Sequence, residues 1–88
     1  MYSLAFTESC KREIKKAAHK NTTLKQALES QIAKLLENPR QGKPLKAPLE
    51  GKWRVHVLTS FILIYEILEN EKTILLFRFA HHDDAYTI

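Results

Sequence analysis

Histidine, arginine and tyrosine fall late in the chain at spacings that extended strands could gather into a site. If residues 53–58 and 73–80 are strands, period-two alternation puts Arg54 and His56 on one face of the first. It puts Arg78 on one face of the second with Ala80 and, should that strand run on, His82. Two imidazoles and a guanidinium on a common face supply the parts that RNA cleavage without a metal requires. One imidazole takes the proton of a 2′-hydroxyl, the other protonates the departing oxygen, and the guanidinium steadies the phosphate's charge. Imidazole suits proton transfer because its ordinary pKa is roughly 6.5. Arginine suits phosphate because it is permanently charged and can bind it through two parallel N–H groups. Tyr86, four residues beyond His82, could stack on a base or donate to phosphate, or equally cap the edge of the core. Surface histidines are common, so residue types alone leave a solvated, idle pair as the alternative.

The run His81-His82-Asp83-Asp84 invites a metal reading, but successive strand residues point to opposite faces and chelate poorly. No metal and no cofactor is expected. Cys10 is the single cysteine, which excludes an internal disulfide, and its place on an apolar helix face predicts a buried structural thiol.

These residues need a sheet and something to back it. Residues 2–6 place Tyr2, Leu4 and Phe6 on one face of a short strand. Thr7 is placed to cap a helix with Cys10, Ile14, Ala17 and Ala18 inward and Lys11, Arg12, Lys15 and Lys16 outward. Asn21 to Thr23 break it. Thr23 with Gln26 fits a capping box for a second helix, striped by Leu24, Ala27, Leu28, Ile32, Leu35 and Leu36 and ended by Asn38-Pro39. All three prolines and both glycines lie between Pro39 and Gly51, in a loop that also carries Arg40, Lys43 and Lys46. Three strands follow, at about Trp53–Leu58, Phe61–Glu69 and Thr73–Ala80. The expectation is one α+β domain over residues 1–88, ordered β-α-α-β-β-β. A helical hairpin packs on one face of a mostly antiparallel four-stranded sheet.

Alternation assigns Trp53, Val55 and Val57 to the helix side, with Leu75, Phe77 and Phe79 sharing one face of the last strand. The middle strand is apolar on both faces, as a central strand should be. Ile62, Ile64, Ile74 and Leu76 are then expected to leave apolar surface on the face away from the helices, where a partner protein would dock.

The 88 residues carry a net charge of +4, unevenly spread. Residues 1–56 hold twelve Lys and Arg against five Glu, a surplus of seven, and residues 57–88 hold two against five acids, a deficit of three. A basic half on so small a body attracts a polyanion, unless it is merely a solvated surface. Lys43, Lys46, Lys52 and Arg54 cluster where the loop enters the sheet and are expected to track an RNA backbone. Hydrophobic residues at 44% and charged residues at 27% exclude disorder. The longest apolar runs are too short for a membrane span, and no signal-peptide layout opens the chain, so a cytoplasmic location is expected.

Two stretches complete the reading. His56, three residues, then Ser60-Phe61-Ile62-Leu63-Ile64-Tyr65 is the first, and Arg78-Phe79-Ala80-His81-His82-Asp83-Asp84-Ala85-Tyr86 is the second. Together they resemble the closing pattern of YafQ-like toxins in the RelE/ParE superfamily. The likeness is sharpest over residues 43–86 and architectural before that. It implies a RelE-like fold, a cognate antitoxin partner, and ribosome-dependent cleavage of mRNA. By position it implies His82 as the catalytic acid or base, Arg78 as the phosphate-binding arginine and His56 as the upstream active-site histidine. Tyr86 matches the terminal aromatic, and Phe61, in place of a tryptophan, would contact RNA. Ser60 departs from the pattern's aspartate, Lys43 stands where the branch often has a histidine, Ala80 replaces glycine and His81 a small residue. Two other readings stand beside the nuclease: a ParE-like toxin that poisons a topoisomerase without chemistry, and a catalytically degenerate relative that only binds.

Overall fold

The computed structural model of the chain describes residues 1–83. In chain order the elements are β1 (Ser3–Phe6), α1 (Glu8–Ala18), α2 (Thr22–Glu37), a 3-10 turn (Pro39–Gln41), β2 (Lys43–Pro44), β3 (Lys52–Val57), β4 (Phe61–Leu68) and β5 (Thr73–His81). They build one sheet in the order β1-β5-β4-β3-β2, with β1 parallel to β5 and every other pair antiparallel. The expected order therefore gains one strand. β2 is only two residues long and contains a proline, which a sheet tolerates at its edge, where β2 lies.

Thr7 caps α1 through Oγ1, which accepts the Cys10 N–H at 3.0 Å, while its hydroxyl donates to the Phe77 carbonyl at 2.8 Å. The cap thus fastens the start of α1 to β5. The cap of α2 is Asn21, whose Oδ1 accepts the Leu24 N–H at 3.1 Å, and not the expected Thr23–Gln26 box. Asparagine is among the strongest N-caps, and taking it starts the helix at Thr22. Asn38 and Pro39 end α2 as their types require.

The main core lies between the helices and the sheet. Cys10, Leu24, Leu28 and Leu35 meet Val55, Val57, Leu63, Tyr65, Ile74, Leu76 and Phe79. Alternation fails in β5. The register slips between Ile64, opposite Arg78, and Tyr65, opposite Leu76, so Phe77 is an extra, unpaired residue. Ile74, Leu76 and Phe79 consequently face the helices, while Phe77 joins the opposite side. The expected Leu75-Phe77-Phe79 face is corrected accordingly.

The far face is not bare either. Leu45 and Leu49 of the loop between β2 and β3 fold over Ile62 and Ile64, joined by Phe77 and Ala80. Ile62, Ile64, Ile74 and Leu76 are all wholly buried, so the apolar patch expected there does not exist. An open apolar groove lies instead on the helix side, where Phe6 borders Ile14, Ala18, Leu28 and Ile32.

Two buried acids titrate late. Burial, helped by nearby Glu13 and opposed by Arg78, pushes the Cys10 thiol from 9.0 up to about 12. Burial also pushes the Tyr65 phenol from 10.0 to about 12, against the Gly42 N–H it accepts. Both folded pKa values are raised, so the folded state holds protons that the unfolded chain has already lost. Stability is full below pH 9 and declines as pH rises towards 12, by at most roughly 1.4 kcal/mol per pH unit for each group. Urea unfolding from pH 7 to 11 should show this decline, and Cys10→Ala should delay its onset towards pH 10. Identical profiles for the two proteins would refute the thiol's part. In the folded protein at pH 8, Cys10 should resist iodoacetamide.

Candidate functional site

β2 pairs with β3 only through Lys43 opposite Arg54 and Pro44 opposite Trp53. Beyond Arg54 the outer edge of β3 is free of strand pairing. There Gln31 of α2 donates from Nε2 to the His56 carbonyl at 2.9 Å, tying the helix to the strand. A cleft of about 490 Å³ opens at this edge, lined by Gln31, Gln41, Gly42, Lys43, Arg54 and His56, among others. Its two charged side chains are both cationic, which suits an anion.

Buried Tyr65 shapes the cleft's rim. Its hydroxyl donates to the Pro39 carbonyl at 2.6 Å and accepts the Gly42 N–H at 3.2 Å. This clamp holds the turn that delivers Gln41 and Lys43.

Cross-strand register orders the far face into rows. Lys43, Arg54, Ile64 and Arg78 form one row, and His56, Ile62 and Ala80 form the next. His82 follows β5, and its N–H donates to the Ser60 carbonyl at 2.7 Å, extending the ladder by one more bond. Its ring comes to lie 6.4 Å from the His56 ring, centroid to centroid, with the planes only 16° apart. Adjacent His81 turns the other way, edge-on to Phe61 at 5.7 Å. The expected separation of the two histidines is therefore present in the structure. Asp83 stands 3.7 Å from Nδ1 of His82, a loose carboxylate neighbour on a side where Ser60 offers none. His56 and His82 are both exposed, as groups that exchange protons with a substrate must be.

Arg78 departs from the expectation of a guanidinium sharing a face with the two histidines, because its side chain reaches helix α1. Its Nε donates to Glu13 Oε2 of α1 at 2.7 Å. Two parallel imidazoles at this spacing can each reach one oxygen of a single phosphodiester, the one gaining and the other losing a proton.

A model of the ParE toxin of type II toxin–antitoxin systems matches residues 4–86 of the chain. The chain belongs to this RelE/ParE toxin family. A protein of Methanocaldococcus jannaschii, whose name marks it as a candidate toxin, RelE4, is 30% identical over 98% of this chain and 92% of its own. Among solved structures, the RelBE2 toxin–antitoxin complex of Mycobacterium tuberculosis is similar at TM-score 0.76 and 26% identity, covering 92% of this chain and 98% of that one. YafQ of E. coli shares the fold at TM-score 0.76 and 19% identity, covering 94% and 96%.

In this toxin the remaining expected site residues divide. Lys43 and Arg54 reach the cleft. Lys52 is engaged elsewhere, 3.5 Å from Glu66 and 4.7 Å above the Phe77 ring, and Lys46 is an exposed loop residue outside the cleft lining. Phe61 packs against Phe79 at 5.4 Å, on the side away from the His56–His82 pair. Tyr86 lies outside the described residues. Sequence reasoning missed Gln31, Gln41 and Glu13. Glu13 had one signal, as an acid set among Lys11, Arg12, Lys15 and Lys16 on the polar side of α1. Among the described residues no group of three or more His, Cys, Asp or Glu could hold a metal ion, and no helix is long and apolar enough to cross a membrane.

Proposed function

We propose that this toxin is an endoribonuclease that cuts mRNA on the ribosome and so stops translation. The observation that carries the reading is the parallel approach of His56 and His82 on an open face. The 2′-hydroxyl attacks the adjacent phosphorus, the bond to the 5′-oxygen breaks, and a 2′,3′-cyclic phosphate remains. One of the two histidines accepts the hydroxyl proton and the other returns a proton to the departing oxygen. Arg78 binds the phosphate's non-bridging oxygens, with charge taken up by the guanidinium in place of a metal. Lys43 and Arg54, with Lys46 and Lys52 nearby, draw the RNA backbone to the cleft, and Phe61 and Tyr86 remain candidate RNA contacts. A cognate antitoxin restrains the enzyme, and the groove beside Phe6, Ile14 and Ile32 offers it apolar surface flanked by Lys15 and Lys25.

Primer-extension mapping in a translation extract tests the reading. The native toxin should produce discrete cuts within translated mRNA, and the double variant His56→Ala, His82→Ala should produce none. The name of the matching family favours a second reading, poisoning of a topoisomerase by binding alone. Intact mRNA together with trapped topoisomerase–DNA cleavage complexes would establish that reading instead.

A further inference from the structure

Of the two arginines assigned above to RNA phosphate, Arg78 is the one whose side chain is tied down by a carboxylate. Glu13 uses both oxygens on neighbouring residues of β5. Oε2 accepts from Arg78 Nε at 2.7 Å, and Oε1 accepts the backbone N–H of Phe79 at 2.9 Å. The two side chains are each only 25% exposed. A carboxylate anchored to the next residue's backbone cannot swing with the arginine it holds, so it fixes the guanidinium plane.

A guanidinium presents two edges of parallel N–H groups, one through Nε and one through its two Nη atoms. Glu13 contacts Nε, and no acceptor among the described residues takes the Nη edge. Ser9, Arg12 and Lys16 line a cleft of about 440 Å³ with Glu13 and Arg78. Three cations there outnumber the one carboxylate, so the pocket keeps its attraction for an anion although Arg78 is paired.

We infer that Glu13 is the positioning residue of Arg78, holding its Nη edge ready for the phosphate. The inference rests on the ribonuclease reading for its catalytic consequence, and on RNA binding alone for its geometric one. Orientation matters because a misplacement of about 1 Å can cost on the order of 10²-fold in rate.

The sign of one effect separates positioning from simple charge. Glu13→Gln removes a negative charge, so electrostatics alone would tighten RNA binding, whereas loss of aim weakens it. Single-turnover cleavage in a translation extract should fall roughly 10–100-fold with Glu13→Gln. In an Arg78→Ala background the same substitution should change nothing further. A merely structural Glu13 would instead lower the melting temperature and slow both backgrounds by equal factors, and that overturns the inference. Binding of an uncleavable 2′-O-methyl RNA, followed by fluorescence anisotropy against salt, needs no catalysis. Arg78→Ala should lower the salt slope by about one, and Glu13→Gln should weaken affinity. Tighter binding by Glu13→Gln, or an unchanged slope for Arg78→Ala, overturns the positioning role. Should the native toxin cut no mRNA, the ribonuclease reading falls, and the anisotropy result still decides on Glu13.

Discussion

His82→Ala should slow mRNA cleavage by about 10²–10⁴-fold, the usual contribution of a general acid or base, while His81→Ala should cost only a few-fold. The two residues are neighbours with similar exposure, so the contrast rests on direction alone. His82 lies beside His56, with parallel rings 6.4 Å apart, whereas His81 lies edge-on to Phe61 behind the sheet. His56→Ala should match His82→Ala to within about an order of magnitude, because each removes one of two proton-transfer groups. The double variant should be little worse than either single one, since groups acting in one step are not additive. Cleavage that survives His82→Ala but not His81→Ala would refute the assigned direction of the two rings. The melting temperature should hardly move in any of these variants, because both His82 and His56 are exposed.

Gly42→Ala should be the most damaging single methyl added to the molecule. A Cβ at this position would stand 2.6 Å from the Arg54 carbonyl oxygen and nearer still to the Tyr65 hydroxyl. Neither obstacle can yield. The carbonyl belongs to β3 where it meets β2, and the hydroxyl is held by Pro39. The turn and β2 must therefore shift, at about 1–3 kcal/mol for overpacking of this kind. Each kcal/mol should lower the melting temperature by roughly 4–8 °C in a domain of this size. Tyr65→Phe removes one obstacle but strands the Gly42 N–H and the Pro39 carbonyl, for about 1–3 kcal/mol of its own. Because they share the obstacle, the double variant should lose less than the two single losses added together. A Gly42→Ala protein that melts with the native one would show that the turn is looser than its contacts imply.

The parts legible in the sequence were those set by local periodicity. Helical spacing located α1 and α2, and the turns at residues 59–60 and 70–71 separated β3, β4 and β5 to within a residue or two. The pairing of His56 with His82 was legible because His56 lies on a strand face and His82 directly continues one, each in a phase that its neighbours report. Phase was lost where those reports stopped. Residues 74–77 are all apolar, so nothing in Ile-Leu-Leu-Phe marks which residue is extra, and the slip at Phe77 came as a correction. Covering of the far face depended on Leu45 and Leu49, whose loop has no periodicity to say where it folds. β2 is shorter than any repeating pattern. The grip of Glu13 on Arg78 spans 65 residues, and such a partnership exists only once the chain has closed upon itself.

The parallel pairing of β1 with β5 governs how the toxin comes into being. Ser3 pairs with Thr73 and Phe6 with Leu76, so the first strand waits for almost the whole chain before it has a neighbour. β5 is an interior strand, between β1 and β4, although it comes last in chain order among the five described strands. The helical hairpin can form early from local contacts, but its core partners Ile74, Leu76 and Phe79 arrive only with β5. His82 arrives later still. A nascent chain stopped before Thr73 therefore has neither a closed sheet nor His82, and under the proposed nuclease mechanism a ribosome making this protein carries an unarmed chain until β5 and His82 are made.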